Sequence, residues 1–437
     1  MAKGLFTLLL VALVPAVCSA QWSQIGADVD GEAAYDWSGY AIALTPTGSH
    51  LAVGARANDS ANGTGAGHVR VFAWDPGTAG WVQLGDDIDG EAEHDHSGCA
   101  VDLSSDGSRV AIGAPGNDMF GESSGHVRVF EWGGSSWVQL GQDIDGLSPY
   151  DNVGGALAIS ADGSRLAIGA VGFDGIGSDA GAVRVYEWVP GTSSWIQLGS
   201  TIHGEEAHDF SGSAVDISSD GSRVAIGASG NDGNGTDSGH VRVFGWNDPS
   251  WVQLGSDIDG PGNYSGGSIV AISPDGSRLA VGAPLFSGTH GESGHARVFG
   301  WDGPLSDWVQ LGQDIHGEAD FDHFGTRVAL SSDGSRLAAG APGSDNTNGS
   351  NAGRVQVFDW DDPSWVQFGQ NIDGEAEGDV SGTSLAFASG GSLLAIGAYY
   401  NDNANGDDAG HVRTYSSAIF CDGFESGGTG GWSSVTP

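Results

Sequence analysis

Apolar and polar residues alternate along this chain in short runs rich in Val, Ile and aromatics, and Gly, Asp and Ser separate the runs. A period of two over so few positions predicts half-buried β-strands, and the intervening turn residues predict an antiparallel meander. Four runs make one unit, seen most plainly in residues 208–258. They are Ser211-Gly-Ser-Ala-Val-Asp-Ile217, Arg223-Val-Ala-Ile-Gly-Ala228, His240-Val-Arg-Val-Phe-Gly-Trp246 and Trp251-Val-Gln-Leu-Gly-Ser-Asp-Ile258.

The unit recurs. A Trp-x-Gln marker stands at Trp22, Trp81, Trp137, Trp195, Trp251, Trp308 and Trp365, with spacings of 59, 56, 58, 56, 57 and 57. A fixed period of this size marks a repeat architecture, and four strands per unit mark a propeller blade. The first three strands occur seven times in order. The fourth also occurs seven times but is displaced: its first copy, Trp22 to Val29, precedes every blade, and none follows Tyr415. Pairing the two ends completes the last blade and removes an open sheet edge. The expected fold is all-β, a seven-bladed β-propeller of four-stranded antiparallel blades closed by an N-terminal strand. Residues 21–417 would form it, after a leader at 1–20 and before a flexible tail at 418–437.

Lys3, the apolar run Leu5 to Val14 and the segment Pro15 to Ala20 match the three regions of a secretory signal peptide. Cleavage after Ala20 would leave 14 Arg against 56 Asp plus Glu, a net charge of −42. Such a surface repels nucleic acid and anionic headgroups, and no later stretch is apolar enough for a spanning helix. The product is expected to be secreted, extracellular or at the cell surface, and monomeric. Only Cys99 and Cys421 would remain, which is no disulfide framework. Cys99, on an inner strand, is read as buried and inert.

Gly113-Ala-Pro115, Gly282-Ala-Pro284 and Gly340-Ala-Pro342, the last preceded by Phe324-Gly325, resemble the FG-GAP repeats of bacterial secreted proteins and of the integrin alpha-subunit propeller. The resemblance covers about Trp22 to Tyr415. It implies a propeller that engages ligands on the face carrying the strand 2–3 and inter-blade loops. Some members also bind a cation in an Asp-x-Asp-x-Asp-Gly loop between strands one and two. Here that link is a short turn such as Ser218-Ser-Asp220-Gly-Ser, too poor in oxygens to wrap Ca²⁺.

The Asp-Gly turns at Asp106, Asp162, Asp220, Asp275 and Asp333 are read as hairpin geometry. Most Arg recur at fixed framework positions, where carboxylates or Trp would meet them. His68, His126, His240, His295 and His411 recur once per blade, too far apart to share one metal, and are read as structural. In an antiparallel blade the strand 2–3 link and the inter-blade link emerge on one face. Both are acidic. The inter-blade loops carry Asp36, Asp95, Asp151, Asp209, Asp322 and Asp379; the other loops carry Asp59, Asp118, Asp174, Asp232, Asp345 and Asp402. The fifth unit lacks both acids, with Tyr264-Ser265 and Phe286-Ser287 in their place, which predicts that the two loops touch. Paired carboxylates admit a cation such as Ca²⁺ between them, for instance at Asp209 and Asp232; the alternative is that each Asp caps its own loop.

Residues that break the repeat on this face are Trp37, His96, Phe210, Phe321, His323, Tyr399 and Tyr400. They form no evident triad. The expected role is therefore non-enzymatic recognition or adhesion, with an extracellular protein or glycan as ligand. The alternatives are a hydrolase or lyase on a propeller scaffold, and a matrix protein without a discrete ligand.

Overall fold

The computed structural model describes residues 18–263, 265, 269–288 and 290–421. It is a seven-bladed β-propeller. In blade four the strands run Ser211–Ile217, Arg223–Ala228, His240–Asn247 and Ser250–Gln253, hydrogen-bonded in sequence order. The other blades repeat this order, and neighbouring first strands touch one another all round the ring.

The expected fourth strand is broken. After Ser250–Gln253 the chain bends through Leu254 to Asp257 and rejoins the third strand as the two-residue bridge Ile258–Asp259. The bend is clipped by its own sequence, since Gln253 Nε2 donates to Asp257 Oδ1 at 2.7 Å. The Trp of the marker works between blades. Trp251 Nε1 donates to Leu198 O at 2.9 Å, and Trp195 Nε1 to Leu140 O at 2.9 Å. Its ring also meets the Trp at the end of the third strand, as in Trp246 and Trp251 with centroids 5.2 Å apart, which is the cross-strand pairing the sequence predicts.

Closure follows the expected exchange. Cys18–Gln24 pairs antiparallel with His411–Cys421, Trp22 opposite Ser417, and Val29–Asp30 supplies the short bridge. The last strand thus continues to Cys421, past the expected end of the propeller at residue 417. Residues 1–17 and 422–437, which hold most of the expected leader and tail, lie outside the described residues.

The recurrent Gly of the second strand has one cause. A Cβ on Gly169 would sit 2.2 Å from Gly212 O in the first strand of the next blade, so the two backbones touch with no room for a side chain. On the opposite face, the Arg that follows the 1–2 turn in blades two to six staples that blade to the turn of the next, while blades one and seven have His50 and Leu393 there. Arg109 Nη1 donates to Gly163 O at 2.9 Å, and Arg223 Nη1 to Gly276 O at 2.6 Å. In these turns only the Gly takes positive φ, as at Gly107 (71°). The Asp instead accepts, Asp106 Oδ1 from Ser104 Oγ and Ser108 N, which holds its carboxyl below the usual range. Seven of the framework Arg, such as Arg242 with Glu205, pair with Glu or Asp as expected, but the third-strand copies lie over Phe or Tyr rather than Trp, as Arg242 over Phe244 at 5.4 Å.

Candidate functional site

The two acidic loops do meet within a blade, through different atoms from those anticipated. Asp95 is buried, its Oδ2 accepting from Glu91 N (3.1 Å) and Ala92 N (2.9 Å) and its Oδ1 from Asn117 Nδ2 (3.3 Å). Asp36, Asp151, Asp209, Asp322 and Asp379 accept from the matching backbone N–H groups of their own loops. The partner across the gap is Asn231 for Asp209, Ser344 for Asp322 and Asn401 for Asp379. The second-loop acids face their own loops: Asp59 accepts from Gly65 N, Asp118 from Ser123 N, Asp174 from Asp179 N, Asp232 from Asp237 N, Asp345 from Asn351 N and Asp402 from Asp408 N. Loop capping is thus the role these twelve carboxylates display. In the fifth blade Tyr264 lies outside the described residues, while Phe286 packs at a tilt on His295 with centroids 4.5 Å apart, in the place where blades one, two, four and seven have Asn.

Six of the inter-blade loops hold two residues each at positive φ, including Trp37 (56°), His96 (56°), Phe210 (53°), Phe321 (65°) and His323 (53°). The loop reaches back to the preceding blade, His96 N donating to Gly65 O, and that ladder sets the conformation whatever side chain is present. Phe210, Phe321 and His323 stand in the loops of blades four and six; Phe321 is exposed, and His323 faces Glu292.

The remaining candidates converge where blades seven, one and two meet. Trp37 lies 6.0 Å from Tyr399 and 5.7 Å from Tyr400, and Tyr40 lies 5.3 Å from Tyr399. Arg56 is the hub: its guanidinium sits 4.4 Å over the Tyr40 ring and 5.2 Å over Trp37. His96 Nδ1 stands 3.3 Å from Arg56 O, and Cys99 Sγ 4.0 Å from Arg56 Nη1. Two buried donors, Trp37 Nε1 and Arg56 Nε, have no hydrogen-bond partner. Burial pushes the Tyr40 and Tyr399 hydroxyls and the Cys99 thiol up, so all three are protonated and uncharged at neutral pH. Cys99, expected to be buried, keeps partial exposure.

This cluster flanks a cavity of about 190 Å³ along the propeller axis, lined by the first strands and by Arg327. The Arg327 charge reaches Tyr40 and Cys99 from blade six. Sequence reasoning missed Tyr40, Arg56 and Arg327. Subtracting the framework arginines would have left Arg56, Arg327 and Arg354, the last of which takes the place of the third-strand His in blade six.

A second convergence was read as framework. In four blades a loop Glu, the first His of strand three and an Asp of strand four bring ligating atoms within 4.8 Å of one another, for example Glu91, His126 and Asp143. Burial, then the Arg128 charge, pulls His126 down to about 4, so its imidazole is neutral.

The fold and its channel mouth define the class: a seven-bladed β-propeller whose symmetry is broken at one aromatic and arginine cluster. The family model of the FG-GAP repeat matches residues 317–358, so the chain carries an FG-GAP repeat there, within a ring whose other blades follow the same strand plan. Among solved structures the chain is similar to a putative 6-phosphogluconolactonase from Bacteroides uniformis (14% identity, 77% of this chain and 85% of that one, TM-score 0.52). It is similar to the periplasmic gluconolactonase of Pseudomonas aeruginosa (17% identity, 77% and 85%, TM-score 0.52) and to hydrazine synthase of Kuenenia stuttgartiensis (14%, 86% and 94%, TM-score 0.51). At these identities the likeness is one of fold. No curated protein matches the chain. Among the described residues, no helix is long and apolar enough to cross a membrane.

Proposed function

We propose that this propeller is an exported, monomeric, non-enzymatic recognition module that takes a glycan at the channel mouth between blades seven, one and two. The observation that carries the reading is the pair of unpartnered buried donors, Trp37 Nε1 and Arg56 Nε, set among ring faces. Buried donors without acceptors cost stability unless a ligand supplies oxygens, and aromatic faces accept the C–H side of a sugar ring. Arg56 and Arg327 bring positive charge to an otherwise acidic surface, which favours a sugar bearing a carboxylate. The thiol held protonated at Cys99 is a poor nucleophile, which favours binding over covalent catalysis.

An array of neutral and uronic-acid oligosaccharides, probed with the wild type and with Trp37→Ala and Arg56→Ala, tests this. Binding to acidic glycans that falls at least tenfold in both variants supports the site. No reproducible binder, or binding that both substitutions leave intact, rejects it.

A further inference from the structure

We propose that blades one, two, four and seven each hold one divalent first-row transition metal ion, with Zn²⁺ the fitting case, between a loop glutamate, a third-strand histidine and a fourth-strand aspartate. The sets are Glu32, His68 and Asp87; Glu91, His126 and Asp143; Glu205, His240 and Asp257; and Glu375, His411 and Asp28.

The imidazole is the independent observation. Each of these four histidines is 1% exposed, and its Nε2 has no hydrogen-bond partner;. Its Nδ1 is aimed at the carboxylates but stops short of them: 3.9 Å from Asp87 in blade one, from Glu91 in blade two and from Glu205 in blade four, and 3.7 Å from Asp28 in blade seven. Those gaps are too long for a hydrogen bond. They suit atoms that share one ion, since bonds of about 2.0–2.2 Å to a common metal require only a small contraction of the partly exposed Glu and Asp.

The carboxylates are already oriented for this. One oxygen of each is tied to a framework donor and the other is left toward the His. In blade four Gln253 Nε2 holds Asp257 Oδ1 at 2.7 Å and Arg242 Nη1 faces Glu205 Oε1 at 3.3 Å, while Glu205 Oε2 points at His240. Such outer-shell bonds are what fix ligands in metal sites. One nitrogen and two carboxylates favour Zn²⁺ and its neighbours over Ca²⁺, which takes six to eight oxygens.

The other three blades vary in a way the proposal explains. Blade three lacks all three ligands together, with Leu147, Ala182 and Thr201 at these places. Blade six has Arg354 for the His and Asn371 for the Asp, and the guanidinium bonds Glu318 Oε2 at 2.7 Å and Asp373 Oδ1 at 2.8 Å. A built-in cation stands where the four blades would bind one. Blade five keeps His295 and Asp314 but has Pro261 for the Glu, and Phe286 packs on the imidazole.

The test is titration calorimetry with Zn²⁺ on the purified chain, freed of any polyhistidine tag and dialysed against chelator. Four ions per chain are expected. The double variant Glu91→Gln, Asp143→Asn should bind three, and adding Glu205→Gln, Asp257→Asn should leave two. These four side chains are partly exposed or at the surface, and equal melting midpoints in chelator confirm that the variants fold. Co²⁺ substitution gives a second readout: intense visible d–d absorption of a low-symmetry N/O site, reduced by a quarter for each site removed. No uptake, a stoichiometry unchanged by the substitutions, or a weak spectrum like that of aqueous Co²⁺ overturns the proposal.

Discussion

Removing the Trp22 indole should open the ring at its seam. Trp22 is 4% exposed, donates Nε1–H to Phe368 O at 3.3 Å and meets the Phe368 ring edge-on at 6.0 Å. Its backbone is bracketed by Gln370, which accepts from Trp22 N and donates to Trp22 O. Replacing a buried Trp by Ala costs about 3–5 kcal/mol. A chain of this size unfolds with an entropy near 0.8–0.9 kcal/mol/K, so the melting midpoint should fall by roughly 5 °C. Trp251→Ala removes the corresponding, less buried indole from a strand tied to its partner by a hairpin, and should cost somewhat less. The two should differ in where the molecule opens. The Cys18–Gln24 strand is joined to His411–Cys421 by no hairpin, so Trp22→Ala should raise amide exchange along both, while Trp251→Ala should leave them protected. A disulfide between Ser23→Cys and Ser416→Cys, which face each other in register, should suppress that opening. A Trp22→Ala midpoint within 1 °C of wild type, or equal seam exchange in both variants, would refute the account of closure.

Three further outcomes follow from single residues. Asp209→Ala should destabilise by about 2–4 kcal/mol in urea unfolding, because Glu205 N, Glu206 N and Asn231 Nδ2 lose a buried acceptor together; Asp232→Ala, which uncaps one exposed N–H, should cost about 1 kcal/mol or less. Arg223→Ala should cost about 1–3 kcal/mol by cutting the staple to Gly276 O, measurable against Arg223→Lys, which keeps the charge but not the fork. Burial pushes Asp216 up to about 7, so the folded state holds its proton where the unfolded chain has lost it, and stability falls as pH rises from about 4 to about 7. Asp216→Asn should therefore gain on wild type by up to about 4 kcal/mol across that window and stay level above pH 8; a difference independent of pH would show that the carboxyl is ionised throughout.

The repeat made the fold readable, because seven copies of one strand order leave little freedom: the Trp-x-Gln period, the displaced Trp22 and the unpartnered strand at Tyr415 together determine closure. The same repetition hid the sites. Asp209 and Asp232 looked like a pair because both lie in acidic loops on one face, yet one atom count along the loop separates an acid that accepts across the gap from Asn231 and an acid that turns back on Asp237 N. Periodicity gives the face of a strand but not the direction of a loop side chain. His126 recurs and so reads as framework, although recurrence is also what a site repeated per blade produces; only the joint loss at Leu147, Ala182 and Thr201 distinguishes the two readings. Arg56 and Trp37 come together from a strand end and an inter-blade loop, and Tyr399 joins them from the last blade across the closed seam. That contact spans nearly the whole chain, so no local signal encodes it. It exists because Cys18–Gln24 closes the ring, which makes the seam a condition for the channel-mouth cluster as well as for stability.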